Sequence, residues 1–150
     1  MTTSHQELAE LLGHVPKVWR ALLDKRLKPY GFSQATWQVL LKLRRAGQPL
    51  LQAELAARIG IEPASLVRLL DVLQQDGWIT REPDPDDRRA KRVWLTAKAE
   101  QVSAELLTVA DALKAELLSG LEPQALVACV ATLRQIALAA EDAASREQAE

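Results

Sequence analysis

A chain of 150 residues, 48% of them apolar, is long enough for one hydrophobic core, or for a small domain with an oligomerisation arm, and too apolar for a disordered polymer. Its formal charge of −1 and pI near 6.2 exclude a uniformly basic nucleic-acid binder, so a function of that kind must rest on locally clustered cations. The single cysteine, Cys129, excludes an internal disulfide and a multi-cysteine metal site.

Ser4 and Glu7 have capping-box spacing, which predicts a helix starting near residue 5. Leu8, Leu11, Leu12, Val15, Trp19, Leu22 and Leu23 continue at helical spacing to about Lys28, with Pro16 expected to kink or split the helix. Pro29-Tyr30-Gly31 is a stop, and Ser33 can cap a second helix carrying Trp37, Leu40, Leu41 and Leu43, ended by Gly47-Gln48-Pro49. Leu51, Leu55, Ala56 and Ile59 form one face of a short helix stopped by Gly60. Pro63 can open the next, with Leu66, Val67, Leu70 and Leu73 as its inward stripe and Gly77 at its end.

Two short helices around a glycine turn form a helix-turn-helix. On the outward face of the second, Ala64, Ser65 and Arg68 suit a major groove. Arg68 is the leading candidate for a base or phosphate contact, its alternative being an i, i+3 pair with Asp71. Leu69 and Val72 are apolar where that face is expected to be polar, so they either pack or meet thymine methyl groups, packing being preferred. Trp78 to Arg81 reads as a strand, broken by Pro83-Asp84-Pro85-Asp86-Asp87, and Val93-Trp94-Leu95 as its return. Between them Arg88-Arg89-Ala90-Lys91-Arg92 makes a basic hairpin tip, a wing able to reach phosphates or the minor groove. Arg88 and Arg89 are candidates for the tip, Lys91 and Arg92 for phosphates, and Gln52 and Arg81 for weaker backbone contacts.

Thr96 can cap a long helix with Val102, Leu106, Val109, Leu113 and Leu117 on one side, broken at Ser119-Gly120. Pro123 opens a last helix carrying Leu126, Val130, Leu133, Ala137 and Ala140, with a polar tail after Asp142 expected to fray. One copy would leave the long amphipathic faces at both ends of the chain poorly covered, which predicts a two-fold dimer. No stretch reaches the roughly 18 uninterrupted apolar residues of a membrane span, and no basic segment followed by an apolar run opens the chain, so neither membrane nor signal peptide is expected and the expected location is the cytoplasm.

The segments IGIEPASLVRLLDVLQQDGWITR (Ile59 to Arg81), DPDDRRAKRVWLT (Asp84 to Thr96) and WRALLDKRLKPYGFSQATW (Trp19 to Trp37) resemble the MarR family of transcriptional regulators, most closely its SlyA branch, with similarity weakening after about Gln101. The resemblance implies a mainly α fold with a small β-hairpin wing: one domain over 1–150, with a winged helix-turn-helix at 33–96 and dimerisation helices at 4–29 and 97–142. It implies a homodimer on double-stranded DNA with inverted-repeat operators, half-sites lying roughly 34 Å apart. It also implies that Asp87 pairs with Arg89 to brace the wing, leaving open which of Arg88 and Arg89 enters the minor groove.

Trp19 and Trp37, with Lys17 and Arg20 nearby, offer aromatic walls and cations suited to a small aromatic carboxylate, against the plainer reading of core tryptophans and solvated cations. The resemblance points to the same pocket, since SlyA-like proteins respond to salicylate-type compounds. Cys129 lies on an apolar face and reads as a buried, inert thiol; His5 and His14 are isolated and read as surface residues. No cofactor, metal or catalytic constellation is expected, so an enzyme is the least favoured class. The competing function is a winged-helix module for protein–protein contact.

Overall fold

A computed structural model describes residues 2–148, in two compact units, Met1–Leu113 and Lys114–Glu150. The first unit opens with α1 (Thr2–Leu27), one continuous helix through Pro16. The helix is not split at Pro16: the proline costs one backbone hydrogen bond, and that turn is solvent-exposed. Ser4 therefore lies inside the helix rather than at its cap. A single 3-10 turn, Lys28–Tyr30, ends on Gly31 at φ 79°.

Helix α2 (Gln34–Ala46) is capped by Ser33, whose Oγ accepts from the Thr36 backbone N–H at 3.4 Å. Strand β1 (Leu50–Leu51) follows, then α3 (Gln52–Ile59) and α4 (Pro63–Gln75), with Pro63 in the first turn of α4 as its fixed φ favours. Strands β2 (Ile79–Pro83) and β3 (Lys91–Leu95) form the hairpin. The antiparallel sheet runs β1-β3-β2, in register Leu50↔Val93 and Arg81↔Val93. The sequence reading missed β1, because two residues carry no alternation to read. It also ended β2 too early. Pro83 pairs with Lys91 on an edge strand, where a missing ladder donor is tolerated.

The core draws on the α-helices and the sheet of this unit: Leu23 and Leu27 from α1, Val39 to Leu41 and Leu43 from α2, Leu55 from α3, Leu66, Leu70 and Leu73 from α4, Ile79 and Val93 from the sheet. From α5 (Ala97–Leu118), Ala99, Leu106, Ala110 and Leu113 join it. The predicted stripe of α4 is corrected at Val67, which is 39% exposed. Leu69 packs against the core as expected, whereas Val72 is 54% exposed.

Thr96 joins three elements. Its hydroxyl donates to the Gly77 carbonyl at 2.7 Å and accepts from the Ala99 N–H at 3.2 Å, and its own N–H donates to the Trp78 carbonyl at 3.1 Å. The end of α4, the end of the wing and the start of α5 thus meet at one residue. Beside them, the Lys98 ammonium lies 3.8 Å over the Trp78 ring and Phe32 meets that ring edge-on at 5.0 Å.

The second unit holds the last turn of α5 and α6 (Pro123–Glu147). No residue of α6 is buried, so Cys129 is exposed, against the expectation of a buried thiol. The helix also continues five residues beyond Asp142, where fraying was expected. An 18-residue window of it has a mean hydropathy of 1.3, a value that helices of soluble proteins also reach. Thr132, Arg134 and Gln135 interrupt its apolar run.

Leu70 is fully buried at the centre of α4. Leu70→Ala should therefore lower unfolding free energy by about 2–5 kcal/mol, read by urea denaturation.

Candidate nucleic-acid interface

The outward start of α4 presents Ala64, Ser65 and Arg68, all exposed. The expected competitor for Arg68 is absent from it: Asp71 accepts instead from Arg81 Nη2 at 2.5 Å, and Gln74 Oε1 accepts from Arg81 Nε at 2.7 Å. Arg81 is only 14% exposed at its side chain. It ties β2 to α4 and is withdrawn from the surface where a backbone contact was expected.

The wing is braced differently from the expected pairing. Asp87 Oδ1 accepts from the Arg89 backbone N–H at 3.0 Å, leaving the Arg89 guanidinium free of it. The brace is Asp84. Its Oδ1 accepts from Arg92 Nε, and its Oδ2 accepts from the backbone N–H groups of Asp86 and Asp87, both at 3.1 Å. The Asp84 N–H in turn donates to the Ala90 carbonyl at 2.8 Å, closing the loop. Arg92, expected at phosphates, is thus engaged at the base of the wing. Burial pushes the Asp84 carboxyl upward, but the Arg92 side chain and the Asp87 and Asp86 N–H groups outweigh it, holding the pKa below the ordinary carboxylate value. Only Asp87 was singled out from sequence. Three aspartates in four positions, Asp84, Asp86 and Asp87, gave no means of telling which one turns inward.

Arg88, Arg89 and Lys91 remain exposed, and neither they nor Arg68 has a side-chain partner among the described residues. A hollow of about 250 Å³ brings Arg89 and Lys91 from the wing opposite Gln52 at the start of α3 and Pro63 and Val67 at the start of α4. Gln52 lines this hollow, and its buried Oε1 has no hydrogen-bond partner.

A second pocket, about 370 Å³, lies among α1, α2 and α3. Trp19, Leu23, Trp37 and Leu41 give it apolar walls, and Arg20 reaches it from α1. The Trp37 indole is fixed by donating to Asp24 Oδ1 at 3.1 Å. Three of the four residues expected there, Trp19, Arg20 and Trp37, line it; Lys17 does not. Sequence reasoning missed Gln38, Lys42 and Arg45, although their i, i+4, i+7 spacing puts them on one face of α2, and Arg58 at the end of α3.

A three-stranded sheet behind a helix-turn-helix, with unpartnered cations on the second helix and on the wing, defines a winged helix-turn-helix protein. The MarR family model matches residues 30–90. The crystal structure of the transcriptional regulator PA3341 is 37% identical, with a TM-score of 0.85 over 90% of this chain and 98% of that one. A MarR-family transcriptional regulator from Silicibacter pomeroyi is 31% identical, TM-score 0.73, over 84% of each chain. A MarR variant from E. coli, solved in complex with operator DNA, is 25% identical, TM-score 0.73, over 87% of this chain and 93% of that one. This chain belongs to the MarR family of transcriptional regulators.

Asp84 gives a pH test. Because its folded pKa is depressed, its stabilisation is complete above the unfolded carboxylate value, about 4, and is lost as pH falls through the lower folded value. Urea denaturation should show the parent more stable than Asp84→Asn at pH 7, with the gap closing below about pH 4.

Proposed function

We propose that this MarR-family chain is a cytoplasmic, homodimeric regulator of the SlyA branch that binds inverted-repeat operators in double-stranded DNA and whose DNA affinity is lowered by a small aromatic carboxylate. The observation that carries the DNA reading is the set of four unpartnered cations, Arg68, Arg88, Arg89 and Lys91, displayed on the start of α4 and on the wing of a chain whose net charge is close to zero. The E. coli MarR variant solved with operator DNA supports it. Arg68, with Ala64 and Ser65, reads the major groove; Arg88 and Arg89 form the wing tip; Lys91 and Gln52 contact the backbone.

The homodimer reading rests on unburied apolar surface. Leu8, Leu11, Leu12, Val15 and Val18 of α1 are each 38–47% exposed. Val127, Val130, Leu133 and Leu138 of α6 are 41–71% exposed. A second copy covers these stripes, and a two-fold axis sets the half-sites one helical turn apart. The effector occupies the pocket walled by Trp19 and Trp37, and acts by favouring one spacing of the two wings over another.

The test is binding to the intergenic DNA upstream of the protein's own gene, over a salt series, with and without salicylate. Selective binding with a steep salt slope, weakened by salicylate, is the expected result. Arg88→Ala/Arg89→Ala should reduce DNA affinity about 100-fold or more while sedimentation still shows a dimer; affinity surviving that change removes the wing from the interface. Absence of selective binding even at low salt favours a protein–protein module instead. Lys91→Ala should lower the slope of log affinity against log salt by about one, whereas Arg81→Ala, which loosens the α4–wing angle, should weaken binding and leave that slope unchanged.

A further inference from the structure

We infer that the pocket among α1, α2 and α3 selects a ligand carrying two anionic groups on a flat apolar body, with Lys42 as the residue that recognises the second. This rests on the reading of that pocket as the effector site and narrows its ligand class. Four cations line it: Arg20 from α1, Lys42 and Arg45 from α2, and Arg58 from α3. Two of them have a carboxylate at hand. Arg58 donates to Glu54 at 2.7 Å, one turn back on its own helix, and Arg45 stands 3.9 Å from Asp111. Arg20 and Lys42 have no acidic partner among the described residues. Asp24, the carboxylate hydrogen-bonded to Trp37, is not among the lining residues.

Two positive charges therefore face the pocket without counter-charge, beside the indoles of Trp19 and Trp37. Lys42 is the half-buried member. Burial lowers its pKa, and Arg45, Arg58 and Arg20 push in the same direction. A cation held in that setting is stabilised by an anion that enters with a stem-compatible apolar surface. A monocarboxylate can satisfy one of the two charges; a ligand with two acidic groups satisfies both. The volume, about 370 Å³, suits a single substituted aromatic ring.

The test is calorimetric titration of the full chain with benzoate and with phthalate (benzene-1,2-dicarboxylate), at fixed ionic strength. Phthalate should bind roughly tenfold or more tightly than benzoate. Lys42→Met, which keeps the apolar stem, should bring the ratio of the two affinities close to one, and Lys42→Arg should restore it. Arg20→Gln, at an exposed position, should narrow the ratio in the same sense. Thermal melts of each variant verify the fold. Equal affinities, no binding of either acid, or a ratio unchanged in Lys42→Met overturns the inference. A DNA titration separates it from the effector reading. Selective phthalate binding that leaves DNA affinity unchanged keeps the inference and removes the effector role. Equal binding of both acids that releases DNA does the reverse.

Discussion

The guanidinium of Arg81 holds together the two parts of the protein that must be set at a fixed angle. Helix α4 and the hairpin are held in a defined relation, and each alone is marginal: α4 has 13 residues and the hairpin two five-residue strands. Apolar packing through Leu66, Leu70, Leu73 and Ile79 brings them into contact but is not directional. Arg81 adds direction, because its planar fork must meet Asp71 and Gln74 at once. Asp84 and Arg92 then do the same for the wing's own base. The free cations are thereby left at the periphery, while the paired ones form the frame that presents them.

Much of this order was legible beforehand. Helices announce themselves through repeating apolar positions and through caps, so α2, α3, α4 and α5 came out with ends close to those found, Ser33 and Thr96 among them. The hairpin was legible from its β-branched and aromatic strands and the turn residues between them. Features that depend on which of several like residues turns inward were not. Asp84, Asp86 and Asp87 are equivalent on paper, and only folding makes one of them the brace. Arg81 looks like any strand arginine until Asp71 and Gln74 are placed beside it. Arg58 joins the pocket from α3, beside residues of α1 and α2 that no local spacing connects to it.

Val67 and Cys129 show a second limit. An apolar residue on an apolar stripe reads as buried, yet burial depends on there being something to cover it. Val67 stands over the hollow facing the wing. Cys129 lies on a helix that buries nothing within the single chain. The same stripe pattern describes a core, a ligand hollow and an association face, and the three are told apart only by the tertiary partner.

Thr96 has a mechanical meaning beyond capping. Through one hydroxyl and one amide it fastens the first turn of α5 to the residues that end α4 and begin the wing. No flexible linker separates hairpin from helix, since β3 ends at Leu95 and α5 begins at Ala97. The direction of the hairpin and the direction of the first turn of α5 are therefore fixed together at one residue. Lys98, in the first turn of the helix, adds a second tie at the same junction, donating to the Asp76 carbonyl at 3.1 Å.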